Sequence, residues 1–132
     1  MKRLAGALAA AFLLFGCQAA PEKDYVEFQA ASDPTNVASA LSERMAECWF
    51  KAGRAEFADF IYAPELNSYA GRPRILVVAR ADPGGLPKLV VEASKAKRGT
   101  SVRLFGPLLS TASGPRIAAD IGRWTAGSQG CA

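Results

Sequence analysis

Three runs of strand-forming residues follow one another with very little between them. They are Arg74–Arg80 (RILVVAR), Lys88–Ser94 (KLVVEAS) and Thr100–Phe105 (TSVRLF), separated by links of seven and five residues. A parallel pair needs a crossover of a dozen or more residues, so links this short favour antiparallel neighbours. The links carry turn chemistry, with Asp82-Pro83-Gly84-Gly85 in the first and Gly99, free to adopt positive φ, closing the second. A fourth, aromatic-rich run at Glu56–Tyr62 completes an expected antiparallel sheet of four strands.

On either side of these runs the apolar period changes from two to between three and four. From Thr35 to Ala52, Val37, Leu41, Met45, Cys48 and Trp49 make one apolar helical stripe. Asp33 or Thr35 suits the cap, Pro34 the first turn and Gly53 the stop. From Pro115 to Ala126, Ile117, Ile121 and Trp124 share a face, with Ser113 as the cap and Gly127 and Gly130 beyond the end. The expectation is an α+β fold in the order α-β-β-β-β-α, the sheet bracketed by two amphipathic helices packed on one face of it. No internal repeat or low-complexity block interrupts this. Ala63–Pro73 (APELNSYAGRP) reads as a surface loop, with Asn67 and Tyr69 as its candidates for ligand contact.

The amino terminus is of a different kind. Met1-Lys2-Arg3 is basic, Leu4–Phe15 (LAGALAAAFLLF) is uninterrupted apolar or Gly, and Gly16-Cys17 follows. A basic start, a short apolar stretch and a small residue at the cut describe a secretory signal peptide. Twelve helical residues rise only about 18 Å, too little for a hydrocarbon core of about 30 Å. Leu14-Phe15-Gly16-Cys17 resembles the lipobox of bacterial lipoproteins, although Phe15 is bulkier than the small residue usual there. The resemblance covers residues 1–17 and implies processing rather than activity. It implies a diacylglyceryl group on the Cys17 sulfur, cleavage before Cys17 and acylation of the new amino group. Two or three acyl chains hold a protein stably at a bilayer where one does not. A secreted chain cut after Ala19 or Ala20 is the alternative. Gln18, where an Asp commonly retains such proteins in the inner membrane, implies the periplasm-facing leaflet of the outer membrane.

With Cys17 assigned to lipid, Cys48 and Cys131 remain, an even number for an oxidising compartment and an expected disulfide. A reactive thiol pair lacks its C-x-x-C motif, and two cysteines without histidine make at most half a metal site. The expected organisation is a removed signal peptide at 1–16, a lipidated tether at 17–34 and one small domain at 35–132. Within the tether, Tyr25, Val26 and Phe28 either dock as a short edge strand or touch the domain transiently. Transient contact is the expectation.

The absence of histidine removes His-based triads and His-ligated zinc. No serine has an activating partner in sequence, no S-x-x-K frame occurs, and the acids are scattered singly, so neither an enzyme nor a cofactor is expected. Charge offers one bias. There are 16 Lys and Arg against 12 Asp and Glu, and loss of Lys2 and Arg3 reduces the excess to two. Lys88, Lys95, Lys97, Arg98 and Arg103 cluster in residues 88–103 against Glu92 alone. They are candidates for contact with an anionic envelope surface such as lipopolysaccharide, and the competing reading is a solvated hairpin whose lysines guard a sheet edge. Nucleic acid is not an expected partner in this compartment. The expected function is that of a non-catalytic, lipid-anchored envelope lipoprotein binding a protein or glycolipid partner in envelope assembly or maintenance. A lipid- or sugar-binding module using the sheet face or the 63–73 loop is the alternative.

Overall fold

The structure, a computed structural model, describes residues 16–17, 23–67 and 72–132. The expected signal peptide therefore lies outside the described residues apart from Gly16, as do residues 18–22 of the expected tether, and Tyr69 in the 63–73 loop.

Among the described residues the fold is α+β, with one antiparallel sheet and two α-helices. The sheet has five strands rather than four: β1 (Val26–Ala30), β2 (Phe60–Glu65), β3 (Arg74–Ala79), β4 (Leu89–Lys95) and β5 (Thr100–Phe105), in the spatial order β1-β5-β4-β3-β2. Helix α1 (Pro34–Met45) lies across β3, β4 and β5, and α2 (Gly114–Thr125) packs beside it over β1.

The additional strand comes from the segment expected to be tether. Val26, Phe28 and Ala30 alternate onto the core, and β1 pairs antiparallel with β5 from Val26↔Leu104 to Ala30↔Thr100. Phe28 is seated by a glycine. A Cβ at Gly122 of α2 would lie 2.8 Å from the Phe28 ring, so a side chain there would push the helix off the strand. Thr100, fully buried, donates its hydroxyl to the Ser32 carbonyl at 2.7 Å and fixes the turn after β1.

The first helix begins as expected, with Asp33 Oδ1 accepting from the Thr35 and Asn36 amides at 3.1 Å each. It does not run to Ala52 as a regular α-helix. Ala46–Lys51 is a π-helical continuation, with the amides of Ala52 and Arg54 bonding five residues back to Glu47 and Trp49. Cys48 and Trp49 are both buried in this wider turn, and each reaches a partner near the end of the chain. The second helix starts one residue earlier than expected, and the Ser113 hydroxyl makes no capping bond.

The strand expected at Glu56–Tyr62 is displaced. Ala55–Phe57 is a short 3₁₀ turn, and the strand runs Phe60–Glu65. Phe57 is spent on the core, stacked on Trp49 with ring centroids 4.6 Å apart and tilted against Phe50 at 5.4 Å. Pro64, which donates nothing to a ladder, is tolerated because β2 is an edge strand.

Candidate functional site

Cys48 and Cys131 form a disulfide, with Cα atoms 5.2 Å apart across a separation of 83 residues. The carboxyl-terminal tail is held by more than this bond. Trp124 Nε1 donates to the Gly130 carbonyl at 2.8 Å, and Arg44 donates to the Gln129 carbonyl at 2.7 Å. Cys17 is exposed and unpaired.

Because side chains alternate along a strand, the face of the sheet turned away from the helices is built by a second set of residues. Ile75, Val77, Leu89, Val91, Ala93, Val102 and Leu104 belong to the core beneath the helices. Their neighbours in sequence look the other way. Reading across the strands, the register places Ala63, Leu76, Val90 and Phe105 in one apolar row, with Ile61 and Val78 above it. The next row is charged on every strand: Glu65, Arg74, Glu92, Arg103 and Glu27, each opposite the next through the pairings Glu65↔Arg74, Arg74↔Glu92, Glu92↔Arg103 and Glu27↔Arg103. Opposite charges directly across strands attract and like charges repel, so strict alternation is the favourable order. Arg74 Nε lies 2.5 Å from Glu65, and Arg103 Nε lies 3.6 Å from Glu27. The Ser101 hydroxyl donates to Glu27 at 2.5 Å and, with help from Arg103 and Lys23, holds its carboxyl below the usual carboxylate range. Beyond the charged row lie Ser94, Ser101 and Gln29. The face turned away from the helices is therefore divided, charged on one side and apolar on the other, where Val78 and Val90 are buried, Ile61, Ala63 and Leu76 are half-buried and Phe105 is exposed.

A second polar cluster is buried beneath the helices and was not singled out by sequence. Asp120 is 4% exposed. Its Oδ2 accepts from Trp49 Nε1 at 2.9 Å and Arg54 Nη1 at 2.6 Å, and its Oδ1 accepts from Arg123 at 2.6 Å. Arg54 continues to Glu56, whose carboxyl is held low by that bond. Burial pushes the Asp120 pKa up, and the hydrogen bonds from Trp49, Arg54 and Arg123 outweigh it, so the net direction is down. Both carboxylate oxygens are engaged, which leaves this group a cross-brace rather than a general base. The available signal was its position, three residues after Ile117 and four before Trp124 on the apolar stripe of α2.

The five candidate cations do not meet in one patch. Lys95 ends β4, and Lys97 and Arg98 sit exposed in the turn closed by the Ala96–Gly99 hydrogen bond. Lys88 precedes the other end of β4, seven residues and about 24 Å away along an extended strand. Arg103 belongs to the charged row, with its guanidinium 4.8 Å from the Tyr25 ring centroid. The described part of the 63–73 loop borders an open depression of about 630 Å³ lined by Glu65, Asn67, Arg72, Arg74 and Glu92 among others. Among the described residues, no group of three His, Cys, Asp or Glu side chains is placed to hold a metal ion, and no helix is long and apolar enough to cross a membrane.

No protein-family model, no curated protein and no solved structure matches this chain.

Proposed function

We propose that the chain is a lipid-anchored envelope protein, carried on a diacylglyceryl group at Cys17 in the periplasm-facing leaflet of the outer membrane. It works without catalysis, by docking a protein partner on the uncovered face of its sheet. The observation that carries this reading is the divided face, with the accessible apolar side chains of Ala63, Leu76 and Phe105 around the buried Val90 beside the alternating row from Glu65 to Glu27. Apolar area supplies binding energy, and a fixed charge pattern supplies register and partner choice. A uniformly anionic surface such as lipopolysaccharide is a poor match here, because Glu65, Glu92 and Glu27 would repel it. The Cys17 lipid rests on the lipobox resemblance of residues 14–17 and on the exposure of that thiol. A sugar held in the depression at Glu65, Arg72, Arg74 and Glu92 is the second reading, favoured by the density of hydrogen-bonding groups there.

A photo-crosslinking residue at Leu76, compared with one at the exposed Ala119 of α2, separates these readings in intact envelopes. Docking predicts a discrete protein adduct from position 76 alone. Equal or absent adducts at both positions would remove it, and native mass spectrometry of the purified chain would then reveal a retained sugar. Cys17→Ser is expected to leave the chain unlipidated and absent from floated membranes. Flotation of that variant equal to the parent would overturn the anchor.

A further inference from the structure

Two large apolar side chains stand out in solvent among the described residues, Leu86 at 85% exposure and Phe105 at 37%. An exposed leucine alone is ordinary. The position of this one is the informative fact. Leu86 sits in the Asp82–Pro87 link just before β4, Phe105 ends β5, and the Leu108 amide ties the two by donating to the Lys88 carbonyl at 3.0 Å. The chain from Cys17 reaches the domain at this same end. Val26, the first residue of β1, is opposite Leu104. Lys23, Asp24 and Tyr25 line a depression of about 490 Å³ together with Gly106, Pro107 and Leu109. The Lys95–Gly99 turn lies at the opposite end of the sheet.

We infer that Leu86 is a membrane-contact residue: the domain rests on the bilayer by this end, with Leu86 inserted among the lipid headgroups and upper acyl chains. The inference depends on the lipid anchor proposed above. Nine residue steps separate Cys17 from Val26, a reach of at most about 32 Å even when fully extended. Such a short link converts contact between the domain and the bilayer into an intramolecular event at high effective concentration. Burial of one leucine then shifts the balance between resting and lifted states by about 10- to 100-fold, a bias too weak to hold a free domain and sufficient for a tethered one. The surroundings carry charges of both signs, as a zwitterionic headgroup layer does. Arg80 and Lys88 flank the link in sequence and Lys23 lies beside Gly106 and Pro107 at the same end, balanced by the acids Asp24, Asp59 and Asp82, of which Asp82 is folded back against Gly85. Pro83, Gly84, Gly85 and Pro87 stiffen or narrow the loop without adding charge.

The test uses the full lipidated chain in vesicles of phosphatidylethanolamine and phosphatidylglycerol. With Cys17 acylated and Cys48 bonded to Cys131, a Leu86→Cys variant carries one reactive thiol for an environment-sensitive nitrobenzoxadiazole label. A Lys97→Cys variant places the same label at the far turn. Blue-shifted emission and quenching by brominated lipid are expected at position 86 and absent at position 97. Water-like emission at both positions in protein that floats with the vesicles would overturn the contact while leaving the anchor standing. Protein that fails to float would overturn both. A label at Lys88→Cys guards against insertion driven by the dye, since adding Leu86→Asp should abolish its lipid quenching. Quenching unchanged by Leu86→Asp would also refute the role of the leucine.

Discussion

The two faces of the sheet are made from the same strands, residue about residue, and they handle charge in opposite ways. Under the helices, Asp120 is withdrawn from water and receives three donors, and no buried acceptor of that carboxylate is left free. On the uncovered side, five charged side chains stay half in solvent and pair sideways with their cross-strand neighbours. A buried carboxylate that loses its partner costs several kcal/mol, whereas an exposed ion pair is worth at most about 1 kcal/mol. The helix-covered side thus carries the larger electrostatic cost, and the charged row on the opposite face can vary at little cost to the fold.

If that division holds, the largest loss of stability comes from the bond that closes the covered side. Replacing Cys48 and Cys131 together by Ser should lower unfolding stability by about 4 kcal/mol in the chain-entropy account of so long a loop, read as a shift of the urea midpoint. A midpoint within error of the parent would mean that the tail is held by Trp124 and Arg44 alone. Next is Asp120→Asn, expected to cost about 3 kcal/mol at pH 7. Because the folded-state pKa of Asp120 lies below its ordinary value of 3.8, its contribution is present above that value and lost as pH falls through the folded one. The gap between parent and variant should therefore narrow in denaturation curves taken at pH 3 and below. A gap independent of pH would place the cost in packing rather than charge.

On the uncovered side Arg74→Glu puts three acids in a row with Glu65 and Glu92. It should cost no more than about 1 kcal/mol in stability while abolishing the adduct from Leu76. A loss as large as that of Asp120→Asn would erase the distinction between the faces. The smallest effect belongs to Lys95, Lys97 and Arg98. Their combined replacement by Gln should move stability by less than about 0.5 kcal/mol, and the lipid quenching of a label at position 86 not at all. A clear rise in that quenching would show that the far turn competes for the anionic surface.

The sequence made β3, β4 and β5 legible because their partners are close along the chain and their links are short. The strand β1 was legible only as the less favoured of two readings, since Val26, Phe28 and Ala30 are too few to show a period and their partner strand begins at Thr100. The aromatic run after Arg54 misled for a related reason. Phe57 answers to Trp49 and Phe50 across the core, which local alternation does not report. Each member of the charged row looks, alone, like an ordinary solvent-facing residue. The row exists only once four strand pairings are in register, and a slip of one residue in any of them would send its charges to the other face. The pairing of Cys48 with Cys131 needed only a count of cysteines and an expected oxidising compartment.

The long-range pairing of β1 also orders events in time. The strand nearest the amino terminus is separated from its partner by 70 residues at Ala30↔Thr100 and 78 at Val26↔Leu104. In a chain exported amino terminus first, β1 reaches the far side of the membrane well before β5 does. Local hairpins such as β4–β5 close early, and non-local pairs close late because the loop entropy must be met first. Until that closure, the segment after Cys17 has no sheet to join. Under the anchor proposed above, the Cys17 thiol would then be presented nine residues ahead of a still unpaired strand, open to modification before the domain folds behind it.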